Sequence, residues 1–167
     1  MLTLRPAAAA DLPAINAIYN HYVLNSTATY QTAPSTDAQR AVWFAAHAPR
    51  HPILVADRLL PSGQREIIGW GSLSPFHPRE AFARSVENSV YIHPQHLRKG
   101  HGRSLLAELI VQARALHHHV IVAIIDSEQS PSITLHARQG FVEVGRLRQV
   151  GFKFDRWLDA IYMQLTL

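Results

Sequence analysis

Apolar residues near the start of the chain recur at helical spacing: Leu12, Ile15, Ile18, Tyr19, Tyr22 and Val23 follow Asp11, a natural N-cap. This predicts a helix over residues 12–24. A polar stretch, residues 25–34, leads to a second helical segment capped by Ser35 or Thr36 and carrying Val42, Trp43 and Phe44. The pattern then becomes strand-like at residues 53–57 and 67–74, with Pro61-Ser62-Gly63 between them, which reads as a hairpin. After an irregular segment, residues 75–84, residues 86–92 form a strand that stops at Pro94, because proline has no N–H for a ladder. From Gly102 onward, Leu105, Leu106, Leu109, Ile110, Ala113 and Leu116 share one helical face, and residues 120–125 are a continuous apolar run of the buried, parallel kind. Strand, glycine-rich turn, helix and strand make a βαβ unit. Ser130, as N-cap, and Pro131 open another helix, Gly140 stops it, and residues 141–144 and 161–165 are closing strands.

At 167 residues the expectation is one domain, residues 1–167, and 47% hydrophobic residues suit an ordinary folded core. No apolar run is long enough to span a membrane. With no cysteine, disulfide scaffolds, thiolate nucleophiles, zinc–thiolate fingers and iron–sulfur clusters are excluded. The apolar residues of the N-terminal stretch are mostly Ala and are interrupted by Asp11 and Pro13, so it lacks the core of a secretory signal; a cytoplasmic protein is expected. The net charge of +4 suits either a nucleic acid or a small anion. The basic residues are scattered except for Arg98, Lys99 and Arg103 around a glycine-rich loop, which favours a compact phosphate-bearing cofactor over a nucleic acid strand.

That loop, Arg98-Lys99-Gly100-His101-Gly102-Arg103-Ser104, lies between a strand and the start of a helix. Glycines there admit a ligand close to the backbone, and free N–H groups at a helix N-terminus favour a pyrophosphate. The loop matches neither the phosphate-transfer loop nor the dinucleotide fingerprint, and by itself such a turn can be only a turn. Glu87 is the second candidate. On a strand, Glu87, Ser89 and Tyr91 share one face, and Asn88, Val90 and Ile92 the other. A carboxylate there is either an ion-pair partner of a nearby Arg such as Arg84 or a general base with a raised pKa. His136, alone on a helix, is by itself as readily structural as catalytic. The clusters His93/His96/His101 and His117–His118–His119 match no metal motif, so no metal is expected. Trp43, Trp70 and Trp157 read as core or pocket-wall aromatics.

Taken in order, Tyr19-Asn20-His21, the run from Glu87 to Pro94, Lys99-Gly100-His101-Gly102, Leu135-His136 with Gly140-Phe141, and Val150-Gly151-Phe152-Lys153-Phe154 with Arg156-Trp157-Leu158-Asp159 resemble the GNAT acyl-CoA N-acyltransferases. Within them the chain is similar to the branch of phosphinothricin and methionine-sulfone acetyltransferases. The resemblance implies an α/β (α+β) fold, a mixed and mostly antiparallel central sheet flanked by helices. It also implies acetyl transfer from acetyl-CoA to the amine of a small amino acid. The sequence departs from the family pattern at Leu97, where a polar cofactor contact is usual, and at Gln129, where an Asn is frequent.

On this resemblance the pyrophosphate lies on Arg98, Lys99, Gly100, His101, Gly102, Arg103 and Ser104, and Gln129 reaches the pantetheine arm. That arm pairs with the backbone of Val90, Tyr91 and Ile92, one of whose N–H groups holds the oxyanion. Glu87 is the general base, and His136, ahead of Tyr162, is the acid that protonates the thiolate. His77 or Arg79 binds the acceptor's carboxylate, Phe82 and Trp70 shape its pocket, and Asn88 and Ser89 line it. Relatives are commonly homodimers, so a homodimer is expected. The alternatives are a GNAT enzyme acting on protein N-termini or other amines, and a non-catalytic CoA- or nucleic-acid-binding module.

Overall fold

The computed structural model describes residues 2–47 and 49–167. Seven strands form its sheet: β1 (Leu2–Pro6), β2 (Ile53–Leu59), β3 (Arg65–Pro75), β4 (Ser85–Ile92), β5 (Val120–Asp126), β6 (Val142–Lys153) and β7 (Arg156–Thr166). Their spatial order is β1-β2-β3-β4-β5-β7-β6. All neighbours are antiparallel except β4 and β5, which are joined through a helix as the βαβ pattern requires. The helices are α1 (Leu12–Asn25), α2 (Asp37–Ala45), α3 (His101–Ala115) and α4 (Ser130–Arg138). Among the described residues no helix is long and apolar enough to cross a membrane.

Each face of the sheet has its own core. On one, Leu105, Leu106 and Leu109 of α3 pack on Leu73, Val86 and Ile121, all fully buried. On the other, Ile15 and Ile18 of α1 pack on Val55 and Trp70, with Trp43 and Phe44 of α2 at the margin. Thr36 caps α2 by accepting from the Gln39 N–H, and Gln39 answers from its side chain. The turn of the β2–β3 hairpin uses Gly63 at φ +83°, which a side chain would strain.

Five readings change. Asp11 sits at the N-cap of α1 without capping it: its carboxylate takes two hydrogen bonds from Arg5, at 2.7 and 2.8 Å, and one from the Ala8 N–H. Two bonds in which both partners are charged outweigh one cap bond from an uncharged N–H. The N-cap of α4 is Gln129, one residue before Ser130. Strand β1 was not expected; it is short, and Leu2 and Leu4 are only partly buried. The closing strands run far beyond residues 141–144 and 161–165 into a long hairpin, and there Trp157 is 61% exposed and stacks on Phe152 at 5.0 Å instead of entering the core.

Candidate active site

The parallel pairing of β4 with β5 is short: Ser85, Val86 and Glu87 face Val120, Ile121 and Val122, and there it ends. Beyond that point β4 stays with β3 and β5 stays with β7. The two strands part, and the gap-facing backbone groups of residues 88–92 have no strand partner. A cavity of about 580 Å³ opens at the split. It passes from the α1/α2 side, where Tyr19, Trp43 and Trp70 form a wall, through to Asn88, Val90 and His136 on the other side.

Glu87 lies at the mouth of the split, and among the described residues it is the one carboxylate on the cavity wall. Alternation along β4 turns it, with Ser89 and Tyr91, toward α1 and α2. Its carboxylate has no ion-pair or hydrogen-bond partner among the described residues, Arg84 included, and burial pushes its pKa up. An unpaired carboxylate with a raised pKa in a cavity is a candidate proton acceptor.

On the opposite face, Asn88 Nδ2 donates to His136 Nε2 at 2.9 Å, and His136 Nδ1–H donates to the Ser132 carbonyl at 2.8 Å. The carbonyl fixes the tautomer, leaving Nε2 as an acceptor. Burial pushes the His136 pKa down, so the ring is neutral and both nitrogens are occupied. This arrangement disfavours the proton donor expected at His136 and makes the ring a support for Asn88. Asn88 Oδ1, buried beside the cavity, has no donor among the described residues.

The glycine-rich loop opens α3. Gly100 is the N-cap at φ +84°, with nothing near the place of a side chain and no side-chain cap for the helix. The first-turn N–H groups of His101, Gly102 and Arg103 therefore lack an acceptor from the cap, whereas the Ser104 N–H bonds to the Gly100 carbonyl at 3.1 Å. Arg98 and Arg103 are exposed and make no ion pair among the described residues, and Lys99 Nζ rests on the Gln95 carbonyl at 3.1 Å. The end of α3 is thus a positive, open cradle beside the far end of β4.

The remaining expected residues divide. Ser89, Val90 and Tyr91 line the cavity; Ile92 is buried, and its carbonyl accepts from Tyr22 Oη at 2.6 Å. Gln129 donates from its amide to Thr27 Oγ1, at 2.9 Å, and does not line the cavity. His77, Arg79 and Phe82 pack on one another before β4, the His77 and Phe82 rings 4.8 Å apart, and none lines the cavity; nor does Tyr162. Unforeseen residues take their place, above all Arg40. In sequence, Arg40, Trp43 and His47 stand at the three- and four-residue steps that put them on one face of α2 and its continuation.

Residues 15–141 match the model of the acetyltransferase (GNAT) family. The chain belongs to this family. It is an acetyltransferase by that membership and by its relatives. It is 45% identical over 166 residues to the L-methionine sulfoximine/L-methionine sulfone acetyltransferase of Pseudomonas aeruginosa, covering 99% of this chain and 94% of that one. Among solved structures, the GNAT phosphinothricin acetyltransferase of Sinorhizobium meliloti in complex with acetyl-CoA superposes with TM-score 0.92 at 39% identity, over 99% of this chain and 88% of that one. The ribosomal-protein-alanine N-acetyltransferase of Brucella melitensis superposes with TM-score 0.92 at 43% identity, over 99% of both chains. The GNAT sheet expected from the sequence motifs is the sheet observed, mixed and mostly antiparallel.

Proposed function

We propose that the protein transfers an acetyl group from acetyl-CoA to the α-amino group of a small amino acid whose side chain ends in an oxidised head, of the methionine sulfone, methionine sulfoximine or phosphinothricin kind. The carrying observation is the unpaired Glu87 carboxylate at the split between β4 and β5. The residues present fit the donor: the open first turn of α3 with Arg98, Lys99 and Arg103 suits a pyrophosphate, and the unpaired edge of residues 90–92 suits an extended amide chain. When bound, acetyl-CoA would supply an activated acetyl thioester, whose C–S bond breaks as the amide C–N bond forms, with the CoA thiolate leaving to take a proton from solvent.

The chain's own residues do the rest. An ammonium is no nucleophile, and Glu87 Oε, directly or through a water, takes its proton. A gap-facing main-chain N–H of residues 90–92 offers the acetyl oxygen a hydrogen bond in place of water. Asn88, held by His136, presents Oδ1 as an acceptor for an N–H of donor or acceptor molecule. Since a neutral His136 has no proton free to give, His136→Asn is expected to lower kcat by less than about tenfold and to keep the shape of the kcat–pH profile. A descending alkaline limb that disappears in the variant would restore His136 as the acid.

The exposed apolar hairpin of β6 and β7 supports a homodimer. The demand for acetyl-CoA supports a cytoplasmic location. The Brucella neighbour favours one second reading, acetylation of a protein N-terminus. Steady-state assays with L-methionine sulfone, L-methionine sulfoximine, phosphinothricin and an alanine-initiated peptide, each with acetyl-CoA, separate the two. The free amino acids are expected to be turned over; acetylation of the peptide alone would overturn the small-substrate reading.

A further inference from the structure

Arg40 is 4% exposed, and among the described residues it has no carboxylate within ion-pair distance. Among the described residues its side chain's one hydrogen-bond partner is Asn16 Oδ1, reached from Nε at 3.2 Å, which leaves the two terminal nitrogens of the fork without an acceptor there. Asp37, bonded to Asn16 Nδ2 at 2.9 Å, makes no ion pair with it. The guanidinium instead lies 4.4 Å from the ring centre of Tyr19, 4.7 Å from Trp43 and 5.8 Å from Trp70. Aromatic faces offset part of the cost of burying a cation and accept no N–H in the plane of the fork. Arg40 also lines the cavity that Glu87 lines. A buried cation with idle donors at the edge of a cavity is a receptor for an oxygen.

The sheet tells which oxygen. On the α1/α2 side Trp70 stands opposite Tyr91, Ser72 opposite Ser89, and Ser74 opposite Glu87. Arg40 covers the Trp70 end, and the row of Glu87 is four residues along β4 from that of Tyr91, about 13 Å of strand. With the amine bonded directly to Glu87, the α-carboxylate, which adjoins that amine, falls short of such a span. An extended side chain of the methionine sulfone type reaches about 6 Å from amine nitrogen to sulfonyl oxygen, and a hydrogen bond of about 2.9 Å at each end brings the total near the required length.

Resting on the amino-acid reading above, we propose that Arg40 is the specificity-determining residue for the acceptor: its guanidinium binds the sulfonyl, sulfoximine or phosphinate oxygen at the far end of the side chain, while Tyr19, Trp43 and Trp70 enclose the apolar remainder. Such a site rejects an amino acid of the same shape without the oxygen, because the donors stay unpaired.

The test is steady-state kinetics of the full chain at saturating acetyl-CoA, with L-methionine sulfone, L-methionine and L-norleucine, on wild type, Arg40→Met and Arg40→Lys. In Arg40→Met the preference in kcat/KM for the sulfone over methionine is expected to fall by about tenfold to a hundredfold, through a loss for the sulfone and a gain for methionine and norleucine, with the KM for acetyl-CoA nearly unchanged. Arg40→Lys, which keeps the charge but loses the fork, is expected to lie between; it decides alone should Arg40→Met fail to fold. A preference that survives in the variants overturns the assignment. An equal loss for all three amino acids overturns it too, moving Arg40 to the α-carboxylate or to the fold. A wild type inactive on every amino acid instead removes the amino-acid reading itself.

Discussion

At the scale of single residues the site rests on Glu87, a carboxylate the fold keeps without a partner. Burial raises its pKa, so the folded state holds its proton more tightly than the unfolded chain. The linked stability is present at low pH and is lost as pH rises from the ordinary carboxylate value through the raised one. The activity runs the other way, since the base must be ionised, and an ascending acid limb in kcat/KM follows. Glu87→Gln keeps the size and loses the charge. It is expected to lower activity at neutral pH by about a hundredfold or more, the loss shrinking at high pH where free amine is abundant. Its melting temperature is expected to exceed that of wild type by a margin that opens as pH rises. An active variant that melts lower would show Glu87 to be a structural partner and overturn the base. Glu87 was legible in the sequence as a candidate, because a carboxylate on a strand needs a reason, but the residues alone left an ion pair and a base equally open. Arg40 was not legible, because an arginine on an amphipathic helix reads as solvated, and only the packing of α2 over Trp70 makes it buried.

At the scale of elements the decisive one is the first turn of α3. A Cβ on Gly102 would meet Leu135 Cδ2 at 3.5 Å and Ile92 Cγ1 at 3.7 Å, ordinary contacts, so Gly102→Ala is expected to fold and to bind acetyl-CoA nearly as wild type does. Gly102→Val sends two methyls into the space between this turn and β4. It is expected to raise the KM for acetyl-CoA by about tenfold or more and to leave that for the amino acid unchanged, as kinetics with each substrate varied in turn would show. A rise in the acceptor KM alone would remove the loop from the donor site. The amphipathic α1 and α3, with their single apolar stripes, and the buried run of β5 were readable from spacing, whereas β5 proves parallel to β4 over three residues only and antiparallel to β7 along its length. Most of β6 was not readable. Its residues are nearly all exposed, on both faces, with Gly145, Gly151 and two arginines among them, and only the ladder with β7 holds it extended. The capping role read for Asp11 failed because Arg5, on the unforeseen strand β1 six residues earlier, takes its carboxylate.

At the scale of the whole molecule the β6–β7 hairpin ties the outer surface to the cavity. Val142, Val144, Leu147, Val150, Phe152 and Trp157 are exposed on it, and β6 is the edge of the sheet, a combination that soluble proteins cover with a partner. From the inner side of the same hairpin, Lys153 Nζ donates to the carbonyls of Ser26 at 2.6 Å and Thr29 at 2.8 Å. Tyr30 packs so closely on Gly151 that a Cβ there would sit 2.8 Å from its ring. Thr29 and Tyr30 in turn line the cavity, where burial lifts the Tyr30 pKa to about 12 and keeps its hydroxyl protonated. A partner that clamps the hairpin therefore also fixes one cavity wall. Wild type is expected to elute as a species of about twice 18.7 kDa in light scattering coupled to gel filtration. Phe152→Glu, a charge placed in the apolar strip, is expected to give a monomer with an unchanged circular dichroism spectrum, a higher KM for the amino acid and the same KM for acetyl-CoA. A wild type that is monomeric at micromolar concentration would show that the strip is not an interface between copies. A dimer that Phe152→Glu leaves intact would place the contact on another face and uncouple it from the cavity.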